Sequence, residues 1–272
     1  MKLWDKGVSI DKTIEAFTVG DDRDIDLYIA KYDLQASLAH AKMLAHIGIL
    51  DKGELEQVER AIGKLLEEEK RGIFKIENQF EDVHSKIEHE LTQRIGTAGK
   101  KIHTARSRND QVLVALQLYY KDNLKSIQKQ VKVLFDTLLN LAEQHKSELL
   151  PGYTHLQVAM PSSFGLWFSA YAESLIDDVI VLQSAQKVVD QNPLGSAAGY
   201  GSSFPIDREM TTELLNFSDL KYNVVSAQMS RGKNEQIIAS SLGNLAFTLS
   251  KFAMDICLYM SQNFDFISFP EE

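Results

Sequence analysis

One long stretch of the chain contains no residue that breaks a helix. Between Asp110 and Leu150 there is neither glycine nor proline, and all five prolines come after it. At 1.5 Å per residue, a helix of about 40 residues spans roughly 60 Å, which is wider than a small domain. The stretch therefore predicts a very long helix that packs side by side with other long helices.

Apolar residues recur along this part of the chain in alternating steps of three and four. The first such seam consists of Leu124, Ile127, Val131, Leu134, Leu138 and Leu141. The second consists of Ile238, Leu242, Leu245, Leu249, Phe252, Ile256 and Tyr259. Between them, residues 162–190 are predicted to form a third long helix. Such seams are typical of helices that pack in bundles, so residues 104–272 are predicted to form a central long-helix bundle domain.

The chain before residue 104 has a different pattern, with shorter apolar segments. Three helices are predicted, over Tyr32 to Leu50, Asp51 to Arg71 and Glu81 to Ile95. Asp51 and Glu54 stand three residues apart at the start of the second, as in a capping box. We therefore predict an all-α protein in which a small helical N-terminal domain, residues 1–103, precedes the bundle.

Composition excludes several classes of function. Lys and Arg number 29 against 38 Asp and Glu, which gives a formal net charge of -9, so nucleic acid and anionic membranes are poor partners. The single cysteine, Cys257, makes no internal disulfide and fits a reducing compartment, for which we expect the cytoplasm. The apolar stretch 236–260 contains Lys251 and Asp255, which is unlike a membrane span.

Polar residues gather where the long helices begin or end. Ser107, Arg108 and Asn109 stand directly before the longest predicted helix. Backbone N–H groups at such a position attract an anion, and an arginine guanidinium can donate two parallel hydrogen bonds to a carboxylate. A capped helix start with exposed arginines is the alternative.

Thr154 and His155 lie between two prolines, where a histidine can transfer protons near neutral pH. A turn with a surface histidine is the alternative there.

Two further segments carry candidate residues. The glycines of Gly195 to Ser203 allow a ligand to approach the backbone closely, although a flexible hairpin has the same composition, and the lysine of a phosphate loop is missing. Asp82 and His84 stand at a predicted helix start, where acidic groups suit the helix dipole or line a site. His84 and Glu88 have the spacing of metal ligands, but no third ligand is evident, so we predict no metal site.

Taken together, four of these segments resemble the argininosuccinate lyases of the fumarase/aspartase superfamily. They are Thr104 to Val112, Pro151 to Gln157, Glu81 to His84 and Pro193 to Ser196. The resemblance implies an enzyme of arginine biosynthesis or of the urea cycle that cleaves argininosuccinate reversibly to arginine and fumarate, by anti-elimination and without cofactor or metal. It also implies a cytoplasmic homotetramer whose active sites combine segments from three subunits.

The resemblance also assigns roles to individual residues. It places Thr154 and His155 in catalysis, with His155 as general acid or as an orienting partner. It assigns substrate contacts to Ser107, Arg108, Asn109, Asp82 and His84. In this view, Asp82 contacts the arginine end of the substrate, where a carboxylate suits a guanidinium group.

The match covers only the first three-fifths of such an enzyme. The superfamily's serine loop, which carries the catalytic base, is expected shortly after Ser268, and the sequence ends at Glu272. From this we expect little or no lyase activity from the polypeptide alone. Two other functions stay open: a non-catalytic helical protein of the same fold, as in lens crystallins, and another lyase of the superfamily.

Overall fold

The protein is mainly helical between residues 12 and 270, the part of the chain that the computed structural model describes. This confirms the predicted all-α class. The early helices are α1 (Lys12–Val19), α2 (Asp22–Ile25), α3 (Leu27–His46), α4 (Lys52–Lys70), α5 (Val83–Ile95) and α6 (Thr97–Lys101). The later helices are α7 (Arg108–Gln144), α8 (Phe164–Val189), α9 (Arg208–Leu214), α10 (Val224–Met229) and α11 (Lys233–Tyr259). Short strands are β1 (Leu149–Thr154), β2 (Gln157–Ser163), β3 (Gln191–Asn192) and β4 (Asp219–Leu220).

The chain divides into two compact units. The first takes in the described chain up to Lys121 together with Val189–Arg231, and the second takes in Asp122–Val188 together with the described chain from Gly232. Helix α7 therefore contributes its first part to one unit and its longer remainder to the other. The boundary expected between residues 103 and 104 falls inside the first unit, and a domain division there stays a prediction.

The first unit is built around α3, most of which is buried. Its apolar side chains pack with those of α4, α5 and the start of α7 in one continuous core. Helix α3 ends at His46, four residues before the predicted end. Gly48 follows with a φ of +80°, a conformation that favours glycine and closes helices. The capping box of α4 is present as predicted, because Asp51 accepts from the Glu54 backbone N–H and Glu54 accepts from that of Asp51.

The second unit contains long helices and a β-hairpin that the helical pattern did not reveal. Helix α7 ends at Gln144 rather than running to Leu150. Strands β1 and β2 pair antiparallel, with Leu149 opposite Ser163 and a bulge after Gly152. The residues before Pro151 are therefore extended, because pairing with a partner strand outweighs the helical propensity of a stretch without breakers.

The two predicted apolar seams differ in the burial of their side chains. On α7, Leu124, Val131 and Leu138 are buried, while on α11 Leu245 is buried and Leu249 is exposed. Among the described residues, α11 is the one helix that is long and apolar enough to cross a membrane. That criterion considers length and composition only.

Candidate active site

The start of α7 is shaped by Ser107 and Asp110. The Asp110 carboxylate accepts from the Ser107 backbone N–H at 2.9 Å, and the Ser107 hydroxyl oxygen accepts from the Asn109 backbone N–H at 3.3 Å. Asn109 is exposed and Ser107 is half-buried. The structure therefore presents the predicted residues Ser107, Arg108 and Asn109 together, at a helix N-terminus where the backbone dipoles favour an anion.

Arg108 meets Asp82 at the start of a second helix. Asp82 caps α5 by accepting from the Ser85 backbone N–H at 2.6 Å, and the same oxygen, Oδ1, lies 3.2 Å from Nη1 of Arg108. Nη2 of Arg108 lies 3.7 Å from Glu88. The structure thus brings the expected substrate contacts Asp82 and Arg108 into one ion pair, with about a fifth to a quarter of each side chain exposed.

His84 faces the interior rather than the surface. Its side chain is 2% exposed, and its Nδ1 atom lies 2.8 Å from Oδ2 of Asp33. Asp33 is itself fully buried in the middle of α3. The structure therefore gives His84 an interior partner, and its expected contact with substrate stays a prediction.

The sequence analysis missed the buried polar cluster to which Asp33 belongs. Gln111 donates through Nε2 to both carboxylate oxygens of Asp33 at 2.9 Å, and Ser37 donates to one of them at 3.2 Å. Burial raises the pKa of Asp33, while nearby Arg106 and the donor Gln111 act to lower it. The signal in the sequence was an acidic residue on the apolar face of a predicted helix.

A second buried histidine, His40, holds the segment that precedes α7. Its Nε2 atom lies 2.9 Å from the backbone carbonyl oxygen of Thr104. Burial lowers the pKa of His40 to about 3, and the positive charge of Arg106 acts in the same direction. The imidazole is therefore neutral at physiological pH, and Nε2 donates to the carbonyl.

Two aspartates near Asp82 have raised pKa values. Burial raises the pKa of Asp26 to about 6, against the bond that its carboxylate accepts from the Val83 backbone N–H, and the charges of Asp22 and Asp82 add to the increase. The pKa of Asp22 is raised by burial and by Asp82. This side of the first unit therefore carries concentrated negative charge, which suits a cationic group of a ligand.

The glycine-rich segment that starts at Gly195 is anchored to the start of α7. Oδ2 of Asp110 accepts from the backbone N–H groups of Gly195 and Ala197, each at 2.9 Å. Gly195 has a φ of +85°, and a Cβ atom there would lie 2.8 Å from Arg208. Gln228 donates to the hydroxyl of the buried Ser196. The beginning of this segment is thus a fixed support of the site.

Thr154 and His155 lie at the tip of the hairpin in the second unit. Both are exposed, and the two-residue loop between β1 and β2 consists of His155 and Leu156. The φ angles of these two residues are 52° and 58°, values that residues other than glycine rarely adopt. Strained loops of this kind are common at functional sites. Close to this tip, Tyr153 packs against Phe264 with ring centroids 5.4 Å apart.

No group of three His, Cys, Asp or Glu side chains within residues 12–270 is placed to hold a metal ion. The expectation that the reaction uses neither metal nor cofactor stays a prediction.

The sequence is similar to a family of known enzymes along its whole length. A family model described as lyase matches residues 6–272. An argininosuccinate lyase of Bacteroides fragilis is 55% identical over 271 residues, which cover 100% of this chain and 61% of the relative. An argininosuccinate lyase of Thermotoga neapolitana is 42% identical, with 100% of this chain and 68% of the relative covered. The chain thus spans about three-fifths of the first of these relatives.

Solved structures show a similar fold at low sequence identity. An EDDS lyase variant with bound fumarate superposes with a TM-score of 0.78 at 23% identity, over 92% of this chain and 50% of that one. A fumarate lyase:delta crystallin from Brucella melitensis, bound to cobalt, gives a TM-score of 0.77 at 16% identity, over 94% and 61%.

Proposed function

The chain belongs to the lyase family, and on that basis we propose that it forms part of an argininosuccinate lyase. The reaction is the reversible anti-elimination of argininosuccinate to arginine and fumarate. The relative that is 55% identical over the full chain carries this proposal, because it bears that name. The arrangement of Ser107, Arg108 and Asn109 at one helix start supports it, since the substrate carries carboxylates.

The chemistry explains why such donors are needed. A base removes a weakly acidic proton from the carbon next to a carboxylate, and negative charge then builds up on that carboxylate. Donors that already point at this position stabilise the charge without reorganising. We assign this task to the side chains of Ser107, Arg108 and Asn109 at the start of α7. We also assign a hydroxyl donor to Thr154, since the family resemblance implies that each active site combines segments from three subunits.

The second half of the reaction releases the arginine. The C–N bond breaks, its electron pair stays on the guanidino nitrogen, and a proton restores the guanidinium cation. We assign His155 to this proton transfer, or to orienting the group that performs it, because an imidazole titrates near neutral pH. The acidic surface at Asp82 would bind the cationic arginine end, with His84 behind it in the same segment.

We further propose that the protein is a cytoplasmic homotetramer of arginine biosynthesis. Apolar side chains on the long helices of the second unit support self-association, because large exposed apolar patches mark interfaces. The exposed ones include Val133, Ile176, Ile180, Phe247 and Met254. A groove of about 640 Å³ between α7 and α8 is lined in part by Val131, Phe135 and Ile176.

The test is to join this chain to the remaining C-terminal part of the Bacteroides fragilis relative and to measure fumarate release. We expect turnover of argininosuccinate, and not of adenylosuccinate or aspartate. Changing Arg108→Gln should lower kcat/KM by about a hundredfold, the size of effect seen when a transition-state donor is removed. The matched change Arg60→Gln, on an exposed face of α4, should leave it unaltered. An assembled protein that releases no fumarate would overturn the proposal and leave a non-catalytic role.

A further inference from the structure

One face of α3 carries polar side chains that the proposed chemistry does not use. Asp33, Ser37 and His40 are separated by four and three residues, so they lie on the same side of the helix. All three are fully buried. Buried positions on a helix are normally apolar, and polar groups there need partners.

The partners come from the segment that forms the start of α7. Arg106 donates through Nη1 to the Ser37 hydroxyl at 3.0 Å, and Ser37 in turn donates to Asp33. Gln111 donates to both oxygens of Asp33. Arg106 and Gln111 flank the three residues that we assign to the substrate carboxylate, so α3 holds this segment on both sides of them.

The same carboxylate also holds the start of α5. His84 lies 2.8 Å from Oδ2 of Asp33 and stands two residues after the helix cap Asp82. Gln111 stands three residues after Arg108. Asp33 therefore contacts the first turns of both helices whose starts carry the ion pair of Asp82 and Arg108.

We propose that Asp33 is a positioning residue of the lyase site, which joins the first turns of α5 and α7 so that Asp82 and Arg108 face each other. The inference rests on the proposed function. Asp33 does not itself reach the substrate in this scheme. It acts through His84, Gln111 and the Ser37–Arg106 contact.

Stability alone is a poor explanation for a buried carboxylate. Removing a charge from water costs several kcal/mol, and apolar replacements of buried ion pairs are often neutral or stabilising. What an apolar residue cannot do is fix the orientation of several donors at once. Asp33 accepts from Gln111 and Ser37 and contacts His84, which come from three different helices.

The test compares Asp33→Asn with Asp51→Ala in the joined lyase, at a temperature where every variant is folded. The asparagine side chain has the same shape as aspartate, but it places an amide against existing donors. We expect Asp33→Asn to lower kcat/KM by more than about tenfold, while Asp51→Ala, which removes a helix cap away from the site, stays within about twofold. A value for Asp33→Asn within about twofold of the parent would overturn the proposal.

A second measurement, made on this chain by itself, tests the positioning role of Asp33 independently of the proposed lyase activity. In Asp33→Asn, hydrogen exchange of the Ser107, Arg108 and Asn109 amides should speed up by more than about tenfold, and in Asp51→Ala it should not. Unchanged exchange at these amides would refute the positioning role even if the joined protein proved inactive. Should Asp33→Asn fail to fold, Ser37→Ala gives the same comparison, because it removes the link to Arg106 and leaves the carboxylate in place.

Discussion

Oδ1 of Asp82 lies 3.2 Å from Nη1 of Arg108, although the two residues are 26 positions apart and stand at the starts of different helices. The pair is partly exposed, and exposed ion pairs contribute about 1 kcal/mol or less to stability. In a double-mutant cycle of Asp82→Asn and Arg108→Gln, we therefore expect a coupling energy below about 1 kcal/mol. Urea unfolding of the four proteins measures it.

Asparagine is chosen at position 82 because it can still cap α5, so the cycle isolates the ion pair. A coupling energy above about 2 kcal/mol would mean that the pair is mainly structural. A small coupling energy, combined with a large loss of activity when each single change is made in the joined lyase, would support a role in substrate binding.

The carboxylate of Asp110 connects α7 to the glycine-rich segment. It is fully buried and accepts from the backbone N–H groups of Ser107, Gly195 and Ala197. Asp110→Asn places an NH₂ group against some of these donors, so we expect the free energy of unfolding to fall by about 2 kcal/mol. Glu56→Gln, at an exposed position of α4, should change it by less than about 0.5 kcal/mol. Equal effects of both changes would contradict this role.

Much of the helical architecture could be predicted from local patterns. The absence of breakers between residues 110 and 150 predicted α7, and Asp51 with Glu54 marked the start of α4. The end of α7 could not be predicted, because the hairpin depends on Leu149 pairing with a residue 14 positions later, and no local propensity encodes that pairing.

The candidate site likewise contains some residues that could be predicted from the sequence and others that could not. Ser107, Arg108 and Asn109 could be found because arginine, amide and hydroxyl groups stand together at one helix start. Asp33 could not be assigned, because a single acidic residue in an apolar helix reveals nothing about its partners. Those partners, His84 and Gln111, come from helices that meet only in the folded unit.

The buried His40 predicts a measurable pH dependence of stability. Its pKa is about 3 in the folded protein, whereas an unfolded histidine titrates near 6.5. Between these values the unfolded chain binds a proton that the native protein does not. The contribution of neutral His40 to the free energy of unfolding is therefore fully present above pH 6.5. It is lost as the pH falls towards 3, by up to about 1.4 kcal/mol per pH unit.

His40→Gln tests this, because a glutamine amide can still donate to the Thr104 carbonyl and does not titrate. The unfolding free energy of the parent minus that of the variant should decrease steadily as the pH is lowered from 6.5 to 4. Other titrating groups, including Asp26 and Asp33, are common to both proteins and cancel in the difference. Parallel stability curves would show that folding does not lower the pKa of His40.

The hairpin loop has a backbone conformation that its residues disfavour. Leu156 has a φ of 58°, and its side chain is 74% exposed. Leu156→Gly should therefore raise the free energy of unfolding by about 1 kcal/mol, since glycine adopts this conformation without strain and little buried surface is lost. The matched change Val158→Gly, in strand β2, should lower it. A loss of stability in Leu156→Gly would show that the exposed side chain makes contacts in an assembly.

The proposed self-association through the second unit can be tested by changing exposed apolar residues on α8. Ile176 and Ile180 lie one turn apart on α8, line the groove beside α7, and are 48% and 56% exposed. Burying two such side chains contributes a few kcal/mol to association at about 25 cal/mol per Å², and a buried unpaired charge costs more than that. Ile176→Glu with Ile180→Glu should thus convert the proposed tetramer into smaller species in sedimentation velocity, with little change in the melting of the first unit. Ile73→Glu, at an exposed site in the first unit, is the control and should leave the assembly intact. An unchanged sedimentation coefficient in the double variant would place the interface elsewhere.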